Sequence, residues 1–463
     1  MSAFQYALES ADNAEFNEAP LANGEETHTV ANAIAEAQDL AQEAADADKV
    51  AEDLEDEQEQ AEDLAGEVED TVAQEGALDP TAARILKVAF ANIVGKRHAG
   101  KVLPATENFE GGRQAGREST RIALEGIKDT LKAFWEAIKA QFKKVYAKVK
   151  DWMVKTFSAA KKLQARAEAL QNKASSTVGS IEEKSFSFSQ TKTIAVDGKY
   201  NEPGKLTSGL NNLRQVVVGT ITELKKDTVD TAIDNTVTAI KDAFTGAGSN
   251  SRKLEPTKVE ALKTAVKSAI KGATAGKIPG SVGDTKKYAD QFGDSAEVDV
   301  TGVFDLPGGK AIIVVEPKGQ PINLDAAVKT LKGAKLVLAS DRYNLREVSE
   351  GDVKTLTTSQ IDKVCDDVIE IAESVHTFEK NWKENDKLVE KIQREVDDLV
   401  KEYDQEDGTK DNEQRIFRNF CNSAVGAIRR SSQFKANLCQ YGLTTGNAFL
   451  NYAERSLAQH KSK

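Results

Sequence analysis

"IDKVCDDVIEIAESVHTFEKNWKENDKLVEKIQREVDDLVKEY", residues 361–403, decides the fold. With Ile361 as position a, the heptad sites are Ile361, Val364, Val368, Ile371, Val375, Phe378, Trp382, Asn385, Val389, Ile392, Val396, Leu399 and Tyr403. Only Asn385 is polar, and one polar core residue in such a seam fixes register or partner number. A repeat sustained this long predicts a long coiled-coil or bundle helix. "YDQEDGTKDNEQ" breaks it, and a second helical run follows through Phe417, Cys421, Ala424 and Ile428 to the C-terminus. Two long helices joined by a short polar turn favour an antiparallel hairpin, within one chain or shared between subunits.

Upstream, the same reading gives more helix. From Leu124 the apolar positions run Ile127, Leu131, Phe134, Ile138, Phe142, Val145, Val149 and Trp152. Helical patterns also cover 205–245, with Leu206, Leu210, Leu213, Val217, Ile221 and Leu224, and 256–272, which has Pro256 and Gly272 at its ends. "GALDPTAARILKVAF" places Asp79 to cap a helix and Pro80 at its first position. Strand signals are few. "KSFSFSQTKTIAVDGKY" alternates through Phe186, Phe188, Ile194 and Val196 up to an Asp197-Gly198 turn. "EVDVTGVFDLPGGKAIIVVEP" reads as two strands around Pro307-Gly308-Gly309, and "AKLVLAS" supplies a third. The expected fold is mainly α with a small antiparallel β insertion, built on long amphipathic helices and a C-terminal helical hairpin. Its expected segments are 1–75, an acidic block that is flexible or weakly helical; 76–183, basic and helical; 184–345, mixed helices with the small sheet; and 346–463, the hairpin.

Charge divides the chain more sharply than periodicity does. Residues 1–75 hold 23 acidic side chains against one lysine, Lys49, a net of −22. The remaining residues hold 61 basic and 51 acidic side chains, a net of +10, so an overall −12 conceals two opposite halves. Within the basic half, 81–175 carries 20 Lys plus Arg and 8 Asp plus Glu. Blocks of like charge commonly serve as interaction tails. Leu54, Ala61, Leu64, Val68 and Val72 give the acidic block a helical spacing, and it lacks proline between Pro20 and Pro80, so it resembles a detachable helical prosegment more than a Gly/Ser linker.

The helix from 124 carries Lys128, Lys132, Lys139, Lys143, Lys144, Lys148, Lys150 and Lys155. Three readings fit it. Its lysines face solvent over a core helix, or they contact nucleic-acid phosphates, or the helix lies on a membrane surface with Trp135, Phe142, Trp152 and Phe157 in the lipid.

No reaction is legible. Cys365, Cys421 and Cys439 are odd in number and widely spaced, and His28, His98, His376 and His460 are far apart, so neither a disulfide framework nor a local zinc motif is expected. "GATAGKIPG" fails as a phosphate loop because Ile278 stands where a hydroxyl would hold magnesium. The expectation is a non-enzymatic protein without cofactor. The start, "MSAFQYALESADNAEF", has neither a basic n-region nor an apolar h-region, so the expectation is a protein made and kept in the cytoplasm, or one that travels by another route.

The acidic Ala/Glu/Gln-rich leader, the basic helical remainder and the "LPGGKAI" region together resemble the internal head proteins of phiKZ-like giant tailed phages. The resemblance implies a virion structural protein of the capsid interior, made in the host cytoplasm. It also implies leader removal by a prohead protease that cuts after glutamate in a (Ser/Ala/Gly)-x-Glu context. Matches stand at Ala7-Leu8-Glu9, Ala41-Gln42-Glu43, Ala65-Gly66-Glu67 and Ala73-Gln74-Glu75, and further ones at Ala105-Thr106-Glu107 and Ala123-Leu124-Glu125. The cut at Ala73, Gln74, Glu75 coincides with the charge boundary. Expected partners are the protease, other head proteins, packaged double-stranded DNA bound without sequence specificity, and further copies through the C-terminal helices; a membrane is also open. The competing readings are a cytoplasmic helical scaffold with a permanent acidic tail, and a membrane-active protein ejected with the DNA.

Overall fold

A computed structural model describes residues 24–94, 113–177, 180–222, 298–318, 332–333, 335–339, 351–378, 394 and 411–460. The elements in chain order are α1 (Gly24–Glu75), α2 (Pro80–Val94), α3 (Arg113–Ser176), β1 (Ser185–Phe188), α4 (Thr191–Ile194), α5 (Pro203–Thr222), β2 (Val298–Leu306), a 3-10 turn (Pro307–Gly309), β3 (Lys310–Pro317), β4 (Lys335–Ala339) and β5 (Gly351–Lys354). A helix over 358–378, α6, and α7 (Asp411–Ala458) complete the set. The protein is mainly α with small antiparallel sheets. The chain divides into two compact units, Met1–Glu43 with Val149–Asp398 and Ser423–Lys463, and Ala44–Lys148 with Leu399–Asn422.

From Gly24 to Glu75 the acidic block is one helix of 52 residues, α1, with a buried face. Val30, Ile34, Ala37, Ala41, Ala44, Asp48, Ala51, Leu54, Gln58, Ala61, Ala65 and Val68 are all buried. They recur at alternating steps of four and three, with one repeated three-residue step at Ala51 and Leu54, which is the spacing of a coiled-coil seam. Alanine fills half of that seam, and alanine is also the best helix former, so one residue type supplies both propensity and close packing. Most carboxylates occupy the other faces, but Asp48 lies in the seam and Glu62 is buried as well. Of the polar seam members, Gln58 Nε2 donates to Glu62 Oε1 at 2.7 Å.

In the first unit a bundle forms around the C-terminal part of α7. From residue 433 onward α7 is buried on nearly every face, as expected of a helix surrounded by others. Gly442 and Gly446 create its closest approaches. A Cβ at Gly442 would lie 3.2 Å from Ile371 Cγ2 and 3.3 Å from Val217 Cγ2, and one at Gly446 would lie 3.5 Å from Leu163 Cδ2 and from Val368. These pairs order the helices: α7 runs antiparallel to α6, because 442 meets 371 and 446 meets 368. It runs parallel to α3, since Trp152 Nε1 reaches Gln440 Oε1 and Arg166 reaches Asn447 and Asn451. All described heptad sites of α6, Ile361, Val364, Val368, Ile371, Val375 and Phe378, are buried. The later sites of that repeat, and the 256–272 helix, lie outside the described residues.

The strands form two small sheets. β2, β3 and β4 pair antiparallel in that order, with a bulge between Val300 and Gly302, and Val300, Val303, Ala311, Ile313, Val315, Val337 and Ala339 form their core. The Pro307-Gly308-Gly309 turn joins β2 to β3 as expected, and it also docks. Gly308 has φ +70 and its N–H donates to Ala195 O at 2.8 Å, while Tyr441 Oη donates to Pro307 O. β1 pairs antiparallel with β5, a partner the sequence reading omits. The alternation expected through Ile194 is corrected: Thr191–Ile194 is a single helical turn whose ends, Thr191 and Ile194, point inward. The Asp197-Gly198 turn is present, with both residues at positive φ and Val196 and Lys199 exchanging hydrogen bonds.

Candidate functional site

The cleavage pattern, the charge boundary and the end of α1 fall on the same bond. Glu75 is the last residue of α1, and Gly76 follows at φ +79 with its N–H donating to Val72 O at 2.8 Å. A left-handed glycine after the last helical residue is a standard helix stop. Gln74 and Glu75 are exposed. Beyond them the connector is held. Leu78 is buried, and its N–H donates to Thr120 Oγ1 at 3.2 Å, while the Thr120 hydroxyl donates to Gly116 O at 2.7 Å. A Cβ at Gly76 would lie 3.1 Å from Arg117 Nη2, so that guanidinium rests against the connector. Asp79 then caps α2, accepting from Ala82 N–H through Oδ1 at 2.8 Å, with Pro80 next in line as the spacing predicts.

The other matches differ in setting. Glu43 and Glu67 lie inside α1, each two residues after a buried seam alanine, Ala41 and Ala65. Glu125 lies inside α3 and pairs with Arg121 at 2.9 Å. A protease holds its substrate extended, so those bonds require unwinding in mid-helix, whereas Ala73-Gln74-Glu75 is the end of α1 and only its last turn must open. Ala7-Leu8-Glu9 and Ala105-Thr106-Glu107 lie outside the described residues.

Both halves of the acidic helix meet the basic helix α3 within their own units. Lys155 Nζ lies 2.7 Å from Glu36 Oε2, and the Glu36 carboxyl is held below its ordinary range first by that hydrogen bond and then by the Lys155 charge, with a smaller contribution from Lys162. In the second unit Gln141 Nε2 donates to Ala47 O at 2.8 Å. Gln440 joins α1 to the bundle: its Nε2 donates to Ile34 O at 3.4 Å, and its Oε1 accepts from Trp152 Nε1 at 3.5 Å and Thr156 Oγ1 at 3.3 Å. Of the lysines singled out in sequence, Lys143, Lys144, Lys150 and Lys155 are exposed and Lys148 is half-buried. The side chains of Lys128, Lys132 and Lys139 lie outside the described set. Gln141, Gln440 and Arg117 escape sequence reading, because a lone glutamine or arginine on a charged helix carries no periodic signal.

Cys365 and Cys439 are free and buried, and burial pushes the Cys365 thiol up to about 12 and raises that of Cys439. Among the described residues there is no cluster of His, Cys, Asp and Glu fit to hold a metal, and no helix long and apolar enough to cross a membrane.

No curated protein and no solved structure matches the chain. A family model for phiKZ-like phage internal head proteins matches residues 29–455, from near the start of α1 almost to the end of α7. With its long helices, its small sheets and the matched span including nearly all of the acidic helix, the chain belongs to the phiKZ-like phage internal head proteins, structural components of the phage head interior.

Proposed function

We propose that this chain is a processed, non-enzymatic head protein, made in the host cytoplasm with its acidic helix in place and cut after Glu75 by the prohead protease as the head matures. The observation that carries this reading is the position of Glu75: a permitted residue, exposed, at the last turn of α1, at the point where net charge changes from −22 to +10. Before the cut, the leader covers part of α3 and offsets its charge, limiting early contact with nucleic acid. Once the leader is lost, Lys143, Lys144, Lys150 and Lys155, with Lys128, Lys132, Lys139 and Lys148 on the same helix, meet packaged double-stranded DNA through phosphates, without sequence preference. The C-terminal helices join copies to one another or to other head proteins.

Incubating the full chain with the prohead protease tests the processing step. The first products expected are residues 1–75 and 76–463, and Glu75→Ala abolishes them. First cuts after Glu43 or Glu67, or unchanged cutting of E75A, would contradict the reading.

A further inference from the structure

We infer that cutting the Glu75–Gly76 bond does not free the leader: α1 stays on the protein as a bound, noncovalent subunit. This rests on the proposed cut, and it concerns what the cut accomplishes. Scission removes one covalent bond beside the exposed Glu75 and touches none of the contacts of the buried face of α1. Those contacts include a buried apolar face in each unit. In the first unit Val30, Ile34, Ala37 and Ala41 are buried, and Gln440 hydrogen-bonds the Ile34 carbonyl in mid-helix. In the second, Ala44, Ala51, Leu54, Ala61, Ala65 and Val68 are buried, and Gln141 does the same at Ala47.

The Glu36–Lys155 pair has side chains 58% and 49% exposed, the setting in which an ion pair is screened and weak. The buried seam, which no salt concentration screens, runs through both halves of the leader. The surface of α3 and α7 around Trp152, Thr156 and Gln440 is therefore a binding site for an alanine-faced helix, and a severed leader remains its occupant. Charge reversal then requires a second event that unwinds or cuts α1 itself.

The experiment is a full chain with the recognition sequence of a site-specific endopeptidase inserted between Glu75 and Gly76, cut in vitro and passed through gel filtration at about 0.1 M and about 1 M salt. Mass spectrometry reads the amount of fragment 1–75 in the main peak. Near-stoichiometric co-elution is expected at both salt concentrations, and the same in Glu36→Ala, which removes the exposed ion pair. Separation of the fragment after cutting would overturn the inference, as would release by salt or by E36A, or precipitation on cutting. The native protease is not used, so this result is independent of whether the virion protein is processed after Glu75.

Discussion

At the scale of single residues, the buried polar groups are the points of greatest sensitivity. Arg166, 7% exposed at its side chain, donates from Nη1 to Asn447 Oδ1 and from Nη2 to Asn451 Oδ1 and Glu454 Oε2, each at 2.7 Å. The three acceptors are spaced four and three along α7, so a planar guanidinium fork meets one helix face. Arg166→Ala leaves Glu454 without its partner and is expected to cost about 3–5 kcal/mol, read from the denaturant midpoint. Arg166→Lys recovers only part of this, because an ammonium cannot reproduce the fork. Asp367 shows the opposite balance. Arg214 Nε lies 3.0 Å from its Oδ1 without hydrogen-bond alignment, and Oδ2 has no hydrogen-bond partner, so burial prevails and raises the carboxyl to about 6 despite the arginine. Between about pH 4 and 6 the folded chain then holds a proton at Asp367 that the unfolded chain has released. This residue's contribution to stability therefore falls as pH rises through that window. Measured against Asp367→Asn across it, the wild type is expected to lose stability relative to the variant with rising pH; a pH-independent difference would contradict the assignment.

Among the elements, what was legible in sequence depended on residue type. The α6 sites Ile361 to Phe378 are apolar against a charged background, so their periodicity is visible and every one is buried. Three strands of the insertion are visible for the same reason, as compact β-branched runs between turns. The α1 seam was only half visible. Leu54, Ala61, Leu64, Val68 and Val72 suggest a helix, but Ala37, Ala41, Ala44 and Ala51 read equally as helix formers or core, and only packing distinguishes the two. The β1–β5 pair was not legible, because Phe186 and its partner Val353 are remote in sequence and each strand is four residues long. Thr191–Ile194 was misread because a single turn is too short for a helical period to emerge. The glycines of α7 offer a direct test of bundle geometry. Gly442→Leu must displace Ile371 and Val217 and is expected to destabilise by about 1–3 kcal/mol, measured by thermal or denaturant unfolding. The exposed Gly204, with nothing within 4 Å of its added Cβ, is the control position for alanine substitution, with no steric cost expected.

For the whole molecule, the site was legible as a coincidence of charge and motif, and its structural meaning was not. Sequence located the boundary at Glu75; it did not reveal that the acidic segment is a packed helix, nor that the connector after it is pinned by Thr120 and bordered by Arg117. The acidic segment from residue 24 onward is part of the fold through a buried face, not a loose tail. If the exposed lysines of α3 bind DNA once the leader is gone, affinity of the virion-derived protein falls steeply with salt. Each of Lys143→Ala, Lys144→Ala and Lys150→Ala then lowers the slope of log affinity against log salt by about one, equally across sequences. Slopes unchanged in all three would remove α3 from the DNA interface. The most direct test of cleavage at the charge boundary is the N-terminus of this protein purified from mature virions, determined by mass spectrometry. A chain beginning at Gly76 is the predicted result, and one beginning at Met1 or Ser2 would contradict it.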